Sequence, residues 1–138
     1  MASRLNPYIS FTAGNAREAL EFYESVLGGT LTVDLFGQYG TEGPLADKVM
    51  HGQLETTDGY TIMGADIPPD MPTTPGDSVT ICISGDADDT LRGYFRQLSA
   101  GGTVHTPLEK QMWGDEYGQF QDRFGVPWMF NLRPPTEA

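Results

Sequence analysis

The side chains best suited to chemistry lie around one histidine, His51. Gln53 and Glu55 follow it at alternate positions in the segment 48–55, whose pattern predicts a β-strand. Because successive side chains of a strand point to opposite faces, these three would share one face of a sheet. Imidazole titrates near neutral pH, so His51 could serve as a general base or a ligand donor. The sequence leaves open the alternative that His51 only hydrogen-bonds within a partly buried sheet.

Motifs of the common catalytic classes are missing from the sequence. It contains no P-loop, no G-x-S-x-G, no H-E-x-x-H, no C-x-x-C and no EF-hand loop. The single cysteine, Cys82, lies in the apolar segment 79–83 and has no thiol partner, so we interpret it as a core residue. Candidate chemistry therefore rests on His51 and its neighbours.

The composition is that of a globular and strongly acidic chain. A length of 138 residues with 38% apolar residues fits one domain with a buried core. Eight basic against 19 acidic residues give a net charge of −11, which disfavours nucleic acids and anionic membrane surfaces. No apolar segment approaches the roughly 20 residues that cross a bilayer, and the first residues lack an apolar signal core. We therefore expect a cytoplasmic protein whose partners include neither nucleic acid nor membrane.

An internal repeat predicts the architecture. At an offset of 66 residues, four identical pairs coincide, namely Gly52 with Gly118, Gln53 with Gln119, Gly59 with Gly125 and Met63 with Met129. The first half predicts strands at 8–12, 31–36, 48–55 and 60–65, with a helix capped by Asn15 and Glu18 after the first strand. The second half predicts strands at 78–83, 103–109, 116–121 and 126–132, with a helix capped by Asp86.

The two halves predict an α+β fold made of two βαβββ modules. Module 1 covers about 6–65, a proline-rich connector covers 66–77, and module 2 covers about 78–133. Neither module has enough helix to cover its own sheet, so we expect them to pair into one curved mixed sheet, a cup with the helices outside. The whole chain, 1–138, would then form a single domain.

Several segments resemble a known family. They are 7–11 (PYISF), 14–23 (GNAREALEFY), 27–29 (LGG), 49–52 (VMHG), 113–115 (WGD) and 122–128 (DRFGVPW). In this order they are similar to PhnB-like proteins of the glyoxalase, bleomycin resistance and dioxygenase superfamily, also called vicinal oxygen chelate (VOC) proteins. The resemblance spans nearly the whole chain. It implies the paired βαβββ fold of glyoxalase and dihydroxybiphenyl dioxygenase, a homodimer, and an open sheet that cups a small molecule or a metal ion.

The resemblance also assigns positions to metal ligands. In the metal-using enzymes of this superfamily the ligands come from the first and last strands of each half, and these positions correspond to Tyr8, Met63, Val79 and Met129. None of the four is a carboxylate or an imidazole, and two thioethers with a valine do not hold a Ni, Zn, Mn or Fe ion. We therefore expect no metal at the usual positions and no cofactor.

The leading functional hypothesis is a small-molecule-binding protein, which would sequester its ligand as resistance proteins of the superfamily do. The ligand would lie in the cup, lined by Tyr8, Ser10, His51, Gln53, Met63, Trp113, Tyr117, Met129 and Asn131. Trp113 belongs to the segment 112–117, which we expect to be a hairpin that forms either a ligand-stacking wall or a structural turn or dimer contact.

Two alternatives stay open. One is a metal-dependent glyoxalase, lyase, isomerase or dioxygenase-type enzyme with a displaced site, in which His51 and a carboxylate such as Glu55 or Glu116 coordinate a divalent ion. The other is a structural dimer with a vestigial pocket. The identity of the ligand, and whether the protein is a catalyst at all, are not decided by the sequence.

Overall fold

The computed structural model describes residues 3–135. Its helices and strands run in the order β1 (Tyr8–Phe11), α1 (Ala16–Leu27), β2 (Thr30–Leu35), β3 (Val49–Glu55), β4 (Thr61–Asp66), β5 (Ile81–Asp86), α2 (Asp89–Ser99), β6 (Thr103–Lys110), β7 (Glu116–Gln121) and β8 (Pro127–Arg133). Two short 3-10 helices, Phe36–Tyr39 and Gly43–Leu45, lie between β2 and β3. The predicted α+β fold with two βαβββ modules is confirmed. The chain divides into two compact units between Thr74 and Pro75.

Each unit contains one mixed sheet. The strand order is β1-β4-β3-β2 in the first unit and β5-β8-β7-β6 in the second. The outer strand β1 is parallel to β4, as β5 is to β8, and the other neighbours are antiparallel. The hydrogen bonds thus divide the eight strands into two four-stranded sheets instead of joining them in one.

Each helix packs against the centre of the sheet of its own unit. In the first unit Leu20 of α1 is buried over Gly52 of β3, where a Cβ atom would overlap the Leu20 side chain. In the second unit Phe95 of α2 lies over Gly118 of β7, where a Cβ would come within 2.7 Å of the ring. The repeated glycine therefore marks the place where a large side chain of the helix lies directly against the strand backbone. Within residues 3–135, neither helix is long and apolar enough to cross a membrane.

The residues that begin the two helices differ from those predicted. Asn15 makes no side-chain cap, so the capping box with Glu18 is wrong. Instead, the buried carboxylate of Asp66 accepts the backbone N–H of Ala16 at 2.9 Å, and its second oxygen accepts that of Val49 at 2.8 Å. In α2 the cap is Asp88, whose carboxylate accepts the N–H of Leu91 at 2.8 Å. Asp86, the predicted cap, ends β5.

Strand β5 begins three residues later than predicted. It covers Ile81–Asp86, and Val79 precedes it with 80% of its surface exposed. Cys82 pairs with Met129 in parallel register, as Tyr8 pairs with Met63 in the first unit. Cys82, not Val79, is therefore the repeat partner of Tyr8. The interpretation of Cys82 as a core residue is also wrong, because its side chain is exposed.

An ion pair joins α2 to β7 and gives a pH dependence that can be tested. Arg92 donates two hydrogen bonds to Glu116, at 2.7 and 3.0 Å, and these bonds and the guanidinium charge lower the pKa of Glu116. A lowered pKa stabilises the fold above the unfolded value of about 4.5, and this stabilisation is lost as the pH falls through the folded value. We expect Glu116→Gln to lower the free energy of unfolding at pH 7 and to matter progressively less below pH 4.5. Urea unfolding of both proteins between pH 7 and 3 measures this, and a difference independent of pH would contradict it.

Candidate functional site

The strands of the first unit carry polar side chains on the face opposite α1. Leu54 points toward the helix and is fully buried, whereas His51, Gln53 and Glu55 alternate with it and are half-buried. Tyr8 of β1 shares the face of His51, and 51% of its surface is exposed. We name this surface the first polar face, with the residues Tyr8, Ser10, His51, Gln53, Glu55, Thr61 and Met63.

A continuous chain of hydrogen bonds crosses the first polar face. The Tyr8 hydroxyl lies 3.2 Å from Nδ1 of His51, and the two ring centroids are 5.7 Å apart. Nε2 of His51 lies 3.3 Å from Oε1 of Gln53. Nε2 of Gln53 donates to Oε1 of Glu55 at 2.7 Å. Four side chains from two strands are thus held in one polar row.

The row ends at a carboxylate that is held ionised. Thr61 donates to Oε2 of Glu55 at 2.7 Å, and Arg4 forms an ion pair with Oε1. These hydrogen bonds, first that of Thr61, then that of Gln53, and the charge of Arg4 lower the pKa of Glu55. At the other end, burial raises the pKa of the Tyr8 phenol. At neutral pH the row therefore runs from a protonated phenol to an ionised carboxylate.

The two remaining predicted residues of the first unit flank this row. Met63 lies between Tyr8 and Gln53 in the register of the sheet and is half-buried. Ser10 is exposed on β1 and pairs with Ala65. The first polar face thus combines an apolar thioether with hydroxyl, imidazole and amide groups.

The second unit carries a comparable surface on the face of its sheet opposite α2. Trp128 and Phe130 of β8 are fully buried, so the alternate residues Met129 and Asn131 point to the other face. Their cross-strand partners on β7 are Gln119 and Tyr117. We name this surface the second polar face, with the residues Cys82, Ser84, Tyr117, Gln119, Met129 and Asn131. Partial burial raises the pKa of the Cys82 thiol.

Trp113 stands at the predicted hairpin between β6 and β7. The turn is closed by the backbone N–H of Gln111, which donates to the carbonyl of Asp115 at 2.8 Å. Asp115 also accepts a hydrogen bond from Asn131 at 2.9 Å, which ties the turn to β8. Trp113 is 59% exposed, and its ring centroid lies 6.2 Å from that of Tyr117. An exposed aromatic ring therefore borders the second polar face.

The nine predicted lining residues fall into two groups. Five lie on the first polar face, where Tyr8, His51 and Gln53 are directly linked, and four lie on or beside the second. Four further residues of these surfaces were not predicted from the sequence: Arg4, Thr61, Ser84 and Asp115. Arg4 and Thr61 are separated from Glu55 by 51 and 6 residues, and no local pattern indicates their contact.

Clefts also lie away from the polar faces. One of about 310 Å³ opens beside the start of α1, where Lys48 donates to the carbonyl of Gly14 at 3.0 Å. A second, of about 250 Å³, includes Arg92 and Glu116, which pair with each other. A third, of about 260 Å³, is lined mainly by the proline-rich segment 67–73. Lys48 and Arg92 are thus already engaged by the protein, and the polar faces are the better candidates.

The side chains at the ligand positions do not fit the metal centre of the metal-using relatives. The first unit offers Tyr8 and Met63, and the second offers Cys82 and Met129, with neither a carboxylate nor an imidazole among them. This set has a single cysteine and no histidine or carboxylate. Zinc sites take three or four Cys, His or carboxylate ligands, and Ni, Mn and Fe(II) sites are built mainly from imidazole and carboxylate ligands, so the set does not suit these ions.

The displaced site of the alternative hypothesis has no better set of ligands. Both ring nitrogens of His51 are hydrogen-bonded, and Glu116 is held by Arg92. Across residues 3–135, no three His, Cys, Asp or Glu side chains come together as a metal group.

The donor chemistry predicts that a chelator leaves the protein unchanged. Protein purified without chelator and then dialysed against EDTA is expected to keep its melting temperature, because residues 3–135 bring together no group of His, Cys, Asp and Glu side chains through which an ion would stabilise the fold. Mass spectrometry of metals on the same samples, after exposure to Zn, Ni, Mn and Fe(II), is the check. About one ion per chain that survives dialysis would contradict the prediction and direct attention to His51 and Glu55.

Comparisons with known proteins agree with this fold. The family model of the glyoxalase/bleomycin resistance protein/dioxygenase superfamily matches residues 6–130. Protein YjdN of Escherichia coli is 28% identical over 149 residues, covering 96% of this chain and 99% of YjdN. The crystal structure of PA1353 from Pseudomonas aeruginosa is 34% identical, with a TM-score of 0.85 over 97% of this chain and 100% of that one.

A more distant structure shares the fold alone. A PhnB protein from Bacillus cereus has a TM-score of 0.68 at 22% identity, covering 94% of this chain and 99% of that chain. The resemblance inferred from the sequence motifs is confirmed at the level of the superfamily, since the family model covers most of the chain. This chain belongs to the glyoxalase, bleomycin resistance protein and dioxygenase superfamily.

Proposed function

We propose that this chain is a small-molecule-binding protein and that its ligand contacts the first polar face. The observation that carries the proposal is the continuous row Tyr8, His51, Gln53 and Glu55. Side chains that hold each other in place lose little freedom when a ligand arrives, so more of the contact energy appears as affinity.

The composition of the face suits a small organic ligand. Binding sites for such ligands combine apolar contact area with a few fixed polar groups that orient the ligand. Met63 and the exposed ring of Tyr8 supply the apolar area, and the Tyr8 hydroxyl supplies a polar group at its rim. The net charge of −11 favours a neutral or cationic guest over an anionic one.

Binding is favoured over covalent catalysis by the state of the nucleophiles. The raised pKa values of Cys82 and Tyr8 keep thiol and phenol protonated at neutral pH, and a protonated thiol is a poor nucleophile. A role in sequestering the ligand, as in resistance proteins of the superfamily, is part of the proposal. The homodimer implied by the family resemblance stays a prediction.

A thermal-shift screen tests the proposal on the full chain. The melting temperature is measured with a panel of small organic molecules that includes amines, polyols, hydroxy acids and antibiotics. A true ligand at a hundred times its Kd stabilises the folded state by about 2.7 kcal/mol, which corresponds to a rise of several degrees. We expect at least one class to give such a rise in a dose-dependent manner.

Matched variants assign the effect to the first polar face. His51→Ala and Gln53→Ala interrupt the row and are expected to weaken binding at least tenfold. Glu21→Gln, on the exposed side of α1, is the control and should bind like the wild type. The proposal fails if no compound shifts the melting temperature, or if both row variants bind as tightly as the control.

A further inference from the structure

We propose that Gln53 positions a hydrogen of His51 and thereby makes the Tyr8 hydroxyl an acceptor toward the ligand. The ligand group that approaches Tyr8 would then be a hydrogen-bond donor, such as an ammonium or a hydroxyl group. The ligand class rests on the proposed function, whereas the arrangement of hydrogens within the row does not.

The arrangement begins at Glu55. An ionised carboxylate has no hydrogen to give, so it can only accept. Its neighbour in the row, Gln53, must therefore turn its amide NH2 group toward Glu55, as the 2.7 Å contact from Nε2 to Oε1 requires. Thr61 also donates to this carboxylate, and Arg4 is paired with it. The orientation of the Gln53 amide follows from the charge of Glu55 alone.

The orientation of Gln53 then decides the tautomer of His51. With its NH2 group on Glu55, Gln53 presents its carbonyl oxygen to Nε2 of His51 at 3.3 Å. A carbonyl oxygen accepts only, so Nε2 must carry the hydrogen. In a neutral imidazole the other nitrogen, Nδ1, then has a free lone pair and acts as an acceptor.

The tautomer of His51 in turn orients the hydroxyl of Tyr8. Nδ1 lies 3.2 Å from the Tyr8 oxygen and needs a donor, so the phenolic hydrogen points toward His51. When the phenolic O–H donates its hydrogen to His51, the lone pairs of the oxygen are left to accept a hydrogen bond from a ligand. Because Tyr8 is half-exposed, these lone pairs face the surface on which the ligand would bind. A ligand donor is matched there, and a carboxylate or carbonyl oxygen is repelled.

Nitrogen-15 NMR of the imidazole ring tests the arrangement without any ligand. Spectra of the full chain are recorded at pH 8, above the ordinary range of imidazole titration. We expect the resonances of His51 to show a hydrogen on Nε2 and none on Nδ1. His105, the other histidine of the sequence, is assigned separately through its alanine variant. A wild-type His51 with its hydrogen on Nδ1 would overturn the proposal.

A charge reversal at the end of the row tests the relay through Gln53. Lysine only donates, so Glu55→Lys should turn the Gln53 amide around and move the hydrogen of His51 from Nε2 to Nδ1. In the double variant Glu55→Lys with Gln53→Leu the relay is broken, and this inversion should be lost. Thr32→Val, at the position paired with Gln53 on β2, is the control and should keep the wild-type tautomer. The proposal that Gln53 positions the hydrogen of His51 would be overturned if the tautomer is unchanged in Glu55→Lys, or if it inverts equally in Glu55→Lys and in the double variant.

Two probes of equal size test the ligand class. Butylammonium only donates and butyrate only accepts, and each is titrated while the methyl resonance of Met63, the neighbour of Tyr8, is followed. We expect a shift with butylammonium at least several-fold larger than with butyrate, and loss of this difference in Tyr8→Phe. Glu55→Lys should reverse the preference, so that butyrate gives the larger shift. Glu21→Lys on α1 makes the same change of charge and should leave the preference for butylammonium unchanged. Equal responses to the two probes would overturn the ligand class.

The nitrogen-15 spectra of His51 and the thermal-shift screen together separate this inference from the proposed function. If the tautomer behaves as expected but no compound binds, the relay stands and the proposed function fails. If a ligand binds the first polar face but His51 carries its hydrogen on Nδ1, the proposed function stands and the inference fails.

Discussion

Gly29→Ala and Gly102→Ala are each expected to lower the free energy of unfolding by about 3 kcal/mol, the upper end of what overpacking costs. Both glycines follow a helix and lead into the next strand. A Cβ atom at Gly29 would overlap the carbonyl oxygen of Glu55, and one at Gly102 would overlap that of Gln121. These oxygens belong to the backbone of β3 and β7. They cannot move aside without disturbing the ladders of the central sheet strands.

Variants at two other glycines distinguish the effect of overlap with a strand carbonyl from the effect of backbone strain. Gly29 has a φ of +101°, in the left-handed region, so its substitution combines strain with overlap. Gly59 has a φ of +87° and open space around it, so Gly59→Ala should cost only about 1 kcal/mol. Gly76 has neither strain nor a neighbour within 4 Å, and Gly76→Ala should leave stability unchanged or raise it slightly.

Urea unfolding of the four variants measures the expected order. Gly102→Ala should resemble Gly29→Ala more than Gly59→Ala, since the overlap with a strand carbonyl is the larger effect. If Gly29→Ala and Gly59→Ala lose equal stability, strain and not overlap determines the role of these glycines. Where a variant does not accumulate as folded protein, its melting temperature in the presence of a stabilising osmolyte such as sucrose gives the same ranking.

The internal repeat predicted most of the fold because it reflects packing that occurs twice. Gly52 and Gly118 coincide in the sequence since each lies beneath a helix, at Leu20 and at Phe95. Apolar residues at positions 16, 19, 20, 23, 26 and 27 recur at helical spacing and predicted the buried side of α1. Five of these six, all but Val26, are buried. Seven of the eight strands were predicted to within about one residue at each end. Periodicity and turn glycines are local signals, and they suffice for such elements.

The register of β5 could not be predicted because it depends on a distant strand. The segment 79–83 is apolar except for Thr80 and offers no alternation that fixes its first paired residue. Pairing with β8 starts at Ile81 opposite Trp128, which leaves Val79 exposed. The error moved the candidate ligand position from Cys82 to Val79. The helix cap at Asp66 escaped prediction for the same reason, since it lies 50 residues from Ala16.

The candidate site was predicted in part. Alternation in β3 placed His51, Gln53 and Glu55 on one face, but it did not say which face is covered by α1. The pairing of Tyr8 with His51 joins residues 43 apart, and the position of Arg4 on Glu55 needs a contact between residues 51 apart. Residue types therefore indicated the polar groups. The order in which they donate and accept follows only from their contacts.

Asp122→Ala is expected to cost about 3 kcal/mol because one buried carboxylate serves three donors. Its Oδ1 accepts the backbone N–H of Phe124 at 2.9 Å and that of Val126 at 3.0 Å, and its Oδ2 accepts the indole N–H of Trp128 at 2.9 Å. Trp128 is fully buried, so its indole N–H loses this hydrogen bond at a place that is closed to water in the folded protein. A buried donor left without its acceptor costs roughly 1 to 3 kcal/mol.

The repeat provides a matched control for this prediction. Thr56 occupies the position of Asp122 in the first unit, and both residues close their hairpins with the same two backbone bonds, to Tyr60 and Gly59 in one case and to Val126 and Gly125 in the other. The Thr56 side chain accepts a single backbone N–H at 2.9 Å. Thr56→Ala should therefore cost only about 1 kcal/mol, and urea unfolding of both alanine variants measures the difference.

Asp122→Asn separates the charge and the indole contact from the shape of the side chain. The amide keeps one oxygen for the two backbone donors, but its NH2 group faces the N–H of Trp128, and two donors repel each other. We expect Asp122→Asn to cause an intermediate loss of stability in the otherwise wild-type protein. The same substitution should cost much less in the Trp128→Phe background, because phenylalanine brings no N–H. A double-mutant cycle of these two substitutions measures the coupling. Additive losses would mean that the carboxylate acts only on the backbone of the turn, and that the indole hydrogen bond contributes nothing to holding Trp128 in the core.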